Sequence, residues 1–316
     1  MATQAEKILK LEKEVTSMKD TLIKYHKLFM EDGEIDQAEE DQLKSMQEVI
    51  KKIEAKIASI KESDDFNIGV SDGTIDKKID YEYTEIVADL FKKGTGDDHK
   101  IHPNDVRQGY LGDCYFLAAI QAIAQSDPGA LEKLIKDNGD GTYEVTLYVY
   151  KTFISWNRSP VKITVDATVP TYKGGTNPVY AGKGDNELWV LLLEKAYAKY
   201  EGDYGDIEGG NPSKAMGLLL SEDGSDFDTD DFTDEELKAK IRAALDGNQA
   251  ITASSNSKSE KKESVTVDGQ LIYYSHAYNL LSLTGDEVYL QNPHGANHVR
   301  LSISDFKKYY RKISVQ

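Results

Sequence analysis

The chain has 316 residues, of which 38 are lysine or arginine and 55 are aspartate or glutamate, so its formal net charge is −17 at pH 7. Because binding to a phosphate backbone needs clustered positive charge, this balance excludes nucleic acid as an expected partner. The single cysteine, Cys114, excludes an internal disulfide and a metal site built from several thiolates. No apolar segment is long enough to predict a membrane span, and no organic cofactor is indicated.

The first residues, MATQAEKILKLEKE, lack the apolar stretch of a signal peptide. A single cysteine also fits a reducing compartment. We therefore predict a cytoplasmic protein, with export by a route that needs no classical signal peptide as the alternative.

Residues 1–64 have a pattern of their own, in which apolar residues recur at alternating spacings of three and four. Two runs show it: Ile8, Leu11, Val15, Met18 and Leu22, then Leu43, Met46, Ile50, Ile53, Ile57 and Ile60. Such narrow stripes between charged residues are typical of amphipathic helices. With a turn at 31–40, the pattern predicts an antiparallel, coiled-coil-like helical hairpin. We expect it to regulate the protein, to bind a partner or to mediate self-association.

Two further regions follow a polar linker. Residues 65–212 are predicted to hold a helix that begins at Cys114, strands near 141–150 and 160–170, and a buried helix near 187–200. Residues 213–316 are predicted to be β-rich, with strands near 249–255, 270–283 and 287–293 and a final short helix near 304–313. The succession predicts an α+β fold.

The segment QGYLGDCYFLAAI, residues 108–120, places Cys114 directly after a polar loop and at the start of an apolar run. This pattern predicts an N-cap at Asp113 and a buried helix that begins at Cys114. At a helix N-terminus, the backbone N–H groups and the helix dipole favour the thiolate form, which indicates a reactive thiol. A small apolar core residue, the usual fate of a free cysteine, is the alternative.

A nucleophilic cysteine needs a base that takes its proton and a third group that orients the base. His276 lies in the hydrophobic segment YYSHAYNLL, which is predicted to be a strand, and Asn292 lies at the end of the next one. Adjacent antiparallel strands would place the Asn292 amide against the His276 ring. A buried histidine that serves only the core is the alternative.

At these residues the sequence resembles the protease core of the calpain family. The segments that carry the resemblance are QGYLGDCYFLAAI, NELWVLLLEKAYAKYEGDYGDIEGG, SHAYNLLSL and NPHG, in the family's order over roughly residues 100–310. The resemblance implies a papain-like cysteine endopeptidase that acts on protein or peptide substrates. It also implies two subdomains, 65–212 with the cysteine helix and 213–316 with histidine and asparagine, and a site in the cleft between them.

By motif position, the resemblance implies Cys114 as nucleophile, His276 as base and Asn292 as the orienting residue. Gln108 would donate its side-chain amide to the oxyanion hole beside the Cys114 backbone N–H. Gly210 would contact the substrate backbone, because a residue without a side chain allows close approach.

Some positions depart from the family pattern. Tyr115 and His294 stand where the family usually has tryptophan, and Ser275, before the histidine, replaces a usual glycine and is expected to narrow the cleft. Asp105 and Glu187 resemble carboxylate ligands of one family calcium site, so the resemblance implies a single Ca²⁺ site. The second site lacks its acidic residues.

Two other functions compete with proteolysis. The same Cys-His chemistry serves acyl transferases such as transglutaminases, and a decayed core could leave a binding protein that works through its helical hairpin. Neither the nucleophile nor the base is missing, which favours an endopeptidase over a decayed core. We further expect that calcium modulates the enzyme and that it cleaves itself in the segments 61–78 or 254–270.

Overall fold

The structure is a computed structural model, and it describes residues 4–29, 37–61, 79–94, 97–150, 157–182, 186–257 and 263–316. The chain divides into two compact units, one holding the N-terminal helices and the other holding the rest of the described chain. Each unit is considered by itself.

The N-terminal unit consists of α1 (Gln4–Phe29) and α2 (Gln37–Lys61). The apolar stripes of the two helices pack into one cluster, whose buried members are Val15, Leu22, Leu43, Ile50 and Ile57. Lys19 forms an ion pair with Glu54 at 2.8 Å across the two helices. Of the turn predicted at 31–40, residues 31–36 lie outside the described residues and residues 37–40 belong to α2, so the hairpin stays a prediction.

The second unit holds the remaining elements. Its helices are α3 (Cys114–Ser126), α4 (Pro128–Glu132), α5 (Trp189–Glu201), α6 (Pro212–Leu220), α7 (Asp234–Asp246) and α8 (Ile303–Tyr309). Its strands are β1 (Tyr81–Glu85), β2 (Ile135–Asp137), β3 (Thr142–Val149), β4 (Ser159–Asp166), β5 (Thr168–Tyr172), β6 (Ser225–Asp228), β7 (Ile251–Ser255), β8 (Ser264–Val267), β9 (Gln270–Tyr273), β10 (Ala277–Thr284), β11 (Glu287–Gln291), β12 (Val299–Ser302) and β13 (Tyr310–Val315).

A six-stranded antiparallel sheet forms the C-terminal part of this unit, with the strand order β12-β11-β10-β7-β13-β6. A three-stranded sheet, β2-β3-β4, and the pairs β1-β5 and β8-β9 complete the described strands. Helix α3 packs against β10, β7 and α6. Because ten consecutive residues of α3, Tyr115–Ala124, are buried, the helix is central rather than half-exposed.

Two hydrophobic cores lie side by side in this unit. The first core is formed by α3, α5 and α6, and the three-stranded sheet packs against it. Trp189 and Phe116 are among its fully buried members. The second lies between the six-stranded sheet and helices α7 and α8, around Tyr278 and Phe306. Ala277, at the start of β10, belongs to the first core although its strand serves the second. The chain around residue 277 therefore connects the two cores.

The predicted elements differ from the observed ones at two places. His276 is not within a strand, because the chain bends at 274–275 and β10 begins only at Ala277. The expected final helix near 304–313 ends at Tyr309, and Tyr310–Val315 form β13, which pairs with β6 and β7. Pairing with two neighbouring strands of the sheet overrides helix propensity in this segment. The predicted boundaries 1–64, 65–212 and 213–316 stay predictions.

Candidate active site

Cys114 is the first residue of α3. Its thiol lies within hydrogen-bond distance of the backbone N–H of Ala277, the residue that follows His276. Burial raises the pKa of the thiol to about 11, and the negative charge of Asp113 acts in the same direction. The backbone N–H groups of Cys114 and Tyr115 at the helix start lower the pKa of the thiol, as expected, but desolvation acts more strongly in the opposite direction.

Asp113 stands at the N-cap position of α3, as predicted, but its side chain makes no capping hydrogen bond. The carboxyl is completely buried and lies within hydrogen-bond distance of the carboxyl of Glu194 on α5. The helix start is closed by backbone bonds instead, since the Asp113 carbonyl accepts the N–H groups of Phe116 and Leu117.

His276 and Asn292 are in contact: His276 Nε2 lies 2.9 Å from Asn292 Oδ1. The same oxygen accepts the backbone N–H of His294 at 3.0 Å, which identifies it as the amide oxygen. His276 must then donate Nε2–H, and the neutral ring keeps its lone pair on Nδ1. The antiparallel pairing of β10 with β11 supports this contact, because Asn279 faces Gln291 just inside it.

Aromatic rings enclose the His276 imidazole. His294 stacks on it at 4.7 Å between ring centroids, and Tyr278 and Tyr273 meet it edge to face at 4.8 and 5.7 Å. Burial lowers the pKa of His276 to about 4, while the hydrogen bond with Asn292 acts in the opposite direction. At neutral pH the resting site therefore holds a neutral imidazole and a protonated thiol.

Gln108 lies in the loop that leads to Cys114. Its backbone N–H donates to Pro293 O at 2.8 Å, which joins this loop to the segment that carries Asn292. Its side-chain Nε2 donates to Leu111 O at 2.7 Å. Since an amide nitrogen carries two hydrogens, one of them stays available for a second acceptor.

The sequence profile of the calpain family cysteine proteases matches residues 88–316 of this chain. The chain belongs to the calpain family. Among curated proteins, it is 31% identical to calpain-5 of Caenorhabditis elegans over 187 residues and to calpain-9 of Mus musculus over 185 residues. It is also 31% identical over 131 residues to the calpain-type cysteine protease DEK1 of Zea mays.

These matches cover 56%, 57% and 40% of this chain but only 28%, 25% and 6% of the respective relatives. The chain thus spans about a quarter of the length of the animal calpains it matches. The matched part is the calpain cysteine protease domain. None of the described helices is both apolar enough and long enough to cross a bilayer.

Ser275 and Tyr115, two departures from the usual calpain pattern, each affect the local structure. Ser275 has φ = 50°, in the left-handed region where glycine is favoured and a serine costs roughly 1 kcal/mol. A Cβ atom at Gly210 would overlap the Tyr115 ring. The glycine is therefore required by its contact with Tyr115, which donates its hydroxyl hydrogen to Tyr197 at 3.1 Å. Substrate contact at Gly210 and Ser275 stays a prediction.

Asp105 and Glu187, the predicted calcium ligands of the calpain domain, lie within hydrogen-bond distance of each other. Asp105 Oδ2 accepts the His102 N–H at 2.6 Å, and Glu187 Oε2 accepts the Lys92 N–H at 2.9 Å. The other oxygen of each carboxyl is buried, and the indole N–H of Trp189 lies close to the Glu187 carboxyl. Burial raises the pKa of Asp105 to about 6 and that of Glu187 to about 8. Carboxylate oxygens are of the type that calcium prefers, but no third His, Cys, Asp or Glu side chain joins these two within the described residues.

Glu194 is the residue that the sequence analysis missed. It lies in the predicted buried helix, and both of its carboxyl oxygens accept the Ala181 N–H, at 3.0 and 3.1 Å. Its carboxyl also contacts that of Asp113, the residue before the nucleophile. The only available signal was an acidic residue inside the apolar run WVLLLEKAY. An acidic residue is seldom buried without a partner, so the sequence indicates that Glu194 has one but does not identify it.

Proposed function

We propose that the domain is a calpain-like cysteine endopeptidase in which Cys114, His276 and Asn292 form the catalytic triad. The observation that carries the proposal is the hydrogen bond of 2.9 Å between His276 and Asn292, next to a thiol that lies against Ala277. Cys114 is the first residue of α3, His276 directly precedes β10, and Asn292 directly follows β11.

In the proposed reaction, Cys114 Sγ attacks the carbonyl carbon of the scissile peptide bond as His276 Nδ1 takes the thiol proton. Because the resting pair is neutral, the proton moves during the attack. The backbone N–H of Cys114 and the free hydrogen of Gln108 Nε2 hold the oxyanion. The imidazolium then gives its proton to the leaving amine, and water, deprotonated by the same ring, hydrolyses the thioester.

Hydrolysis of a denatured protein, followed by mass spectrometry of the peptides, tests this function. Cys114→Ala and His276→Ala should abolish cleavage while the fold is retained, and Asn292→Ala should leave weak activity because it only orients the base. Gln108→Ala should reduce turnover about a hundredfold, the usual loss for one oxyanion donor. Full activity of Cys114→Ala would refute the mechanism, and transfer of acyl groups to amines without peptide cleavage would identify an acyl transferase.

We also propose that calcium modulates the domain through Asp105 and Glu187 alone. When bound, calcium would neutralise two buried carboxylates and tie the loop at 102–105 to residue 187. Activity measured in calcium and in chelator, with Asp105→Asn as the control, tests this role. Equal calcium dependence of both proteins would assign the effect to another site.

Self-processing and association through α1 and α2 remain parts of the proposal. The self-cleavage segment 61–78 lies largely outside the described residues, as does the middle of 254–270. Intact masses of wild type and Cys114→Ala, aged side by side, test self-cleavage, and equal masses would exclude it. Light scattering of the whole chain tests self-association. A monomer at every concentration would limit the helices to binding another protein.

A further inference from the structure

The buried acid Glu194 lies under the loop that carries the nucleophile. It occupies the middle of α5, and both of its oxygens accept the N–H of Ala181. Its carboxyl also lies within hydrogen-bond distance of that of Asp113, which directly precedes Cys114. One side chain therefore contacts the residue before the nucleophile and a second loop at the same time.

That second loop, residues 179–182, holds the nucleophile loop along its length. Tyr110 N–H donates to Val179 O at 2.8 Å, and Gly182 N–H donates to Arg107 O at 2.7 Å. Between these bonds a Cβ atom at Gly109 would overlap the backbone of residues 179 and 180, so the two loops are in direct backbone contact. Through Ala181 and Asp113, Glu194 binds both loops.

The charges around the two carboxyls require a proton between them. Neither acid forms an ion pair within the described part of the chain, and Lys195, the cation next to Glu194, is bound to Asp166 at 2.8 Å. The titratable groups that face the two acids are Cys114, Tyr115, Tyr197, Tyr204 and Glu208. None of them is a cation. Burial raises the pKa of Asp113 to about 7 and that of Glu194 well above its ordinary value.

We propose that Glu194 is a positioning residue that acts as a neutral acid, sharing its proton with Asp113 and so fixing the loop that presents Cys114. The inference rests on the proposed function, because it assigns a role in the reactivity of the same thiol. Two unprotonated carboxylates at this place would repel each other and would add negative charge beside the sulfur. Both effects oppose formation of the thiolate, so the reactivity of Cys114 depends on the proton that the two acids share.

The single cysteine makes the test specific, because Cys114 is the only thiol that iodoacetamide can alkylate, and its alkylation is followed at that residue by mass spectrometry. The rate of alkylation is measured from pH 5 to pH 10 in wild type and in Glu194→Gln, whose amide donates to Asp113 and accepts from Ala181 but cannot ionise. Fitting the pH dependence of the wild-type alkylation rate should require two ionisations. At high pH the measured rates should be several-fold lower than those expected if only the Cys114 thiol ionised. The profile of Glu194→Gln should follow one ionisation.

Two controls keep the outcomes distinct. Asp113→Asn should also reduce the profile to one ionisation, and it replaces Glu194→Gln if that variant does not fold by circular dichroism. Superimposable profiles of wild type and the folded variant would overturn the inference. Alkylation does not depend on peptide cleavage, so an inactive wild type with the two-ionisation profile would refute the proposed function and leave this inference standing.

Discussion

Two pairs of buried acids in the same compact unit invite comparison. The 105/187 pair is Asp105 with Glu187, and the 113/194 pair is Asp113 with Glu194; at most 2% of any of these four residues is exposed. In the 105/187 pair, each carboxyl uses one oxygen for a backbone N–H, and the Trp189 indole lies close to Glu187. In the 113/194 pair, Glu194 uses both oxygens on Ala181.

This difference teaches that burial alone does not determine what a pair of carboxyls binds. A cation needs oxygens from both partners that face one another, and the 105/187 pair offers them. Where one partner is committed to backbone donors, the acids can relieve their repulsion by holding a proton. The proposals made above accordingly differ, with a calcium ion at the 105/187 pair and a proton at the 113/194 pair.

The largest expected effect is the stabilisation of the fold by calcium. At a hundredfold excess over its dissociation constant, calcium should raise the free energy of unfolding by about 2.7 kcal/mol. Asp105→Asn should abolish this gain, whereas Asp113→Asn should retain it, because Asp105 and Glu187 are the proposed calcium ligands and Asp113 is not. Thermal unfolding in calcium and in chelator measures both variants. If Asp113→Asn also lost the stabilisation by calcium, the two pairs of acids would not differ in calcium binding as proposed.

The pH dependence of calcium binding should be the next largest effect. The pKa values of Asp105 and Glu187 are raised to about 6 and about 8, so calcium must displace protons below those values. Affinity should therefore increase with pH, about tenfold between pH 6 and pH 7 for the Glu187 proton and about twofold for the Asp105 proton, which is half lost at pH 6 already. Calorimetric titration at pH 6, 7 and 8 measures it. An affinity that does not change with pH would mean that calcium binds elsewhere.

A smaller effect is expected in the stability of the chain without calcium. The raised pKa values of Asp113 and Glu194 mean that the folded state holds more protons than the unfolded state above about pH 4. Stability should fall as pH rises towards 7, by about 1.4 kcal/mol per pH unit for each extra proton. Denaturant unfolding of the Asp113→Asn/Glu194→Gln variant in chelator should show a shallower fall. An unchanged slope would contradict a shared proton.

The smallest effect is expected at an exposed acid, which serves as the reference for both pairs. Asp230 is exposed and belongs to no ion pair of the described residues. Asp230→Asn should change the free energy of unfolding by no more than about 0.5 kcal/mol at any pH. Unfolding curves at pH 6 and pH 8 check this. A shift as large as that of the buried pairs would mean that general charge effects, rather than burial, explain the other results.

The sequence predicted those parts of the site that depend on local pattern. Cys114 at a helix start follows from a polar loop before an apolar run, and the contact of His276 with Asn292 follows from two adjacent strands. The buried helix α5, which begins at Trp189, was likewise predicted from its apolar run. These features need only hydrophobic periodicity and one strand pairing.

Features that depend on several segments were not predictable. The protonated state of Cys114 results from desolvation by the packed cores, which no local motif encodes. The side chain of Asp113 turns from the helix end towards Glu194, 81 positions later in the chain, and this choice depends on tertiary packing. The bend before His276 accommodates Ser275 at a positive φ, against the ordinary preference of serine.

The burial of Cys114 also determines how the chain responds to oxidants. Peroxide attacks the thiolate, and with a pKa of about 11 only about one thiol in ten thousand is ionised at pH 7. The resting site should therefore oxidise slowly. Once a sulfenic acid forms, these 316 residues contain no second cysteine to resolve it as a disulfide. Recovery then depends on an external thiol, which mass spectrometry after peroxide treatment, with and without glutathione, would detect as a mixed disulfide at a single position.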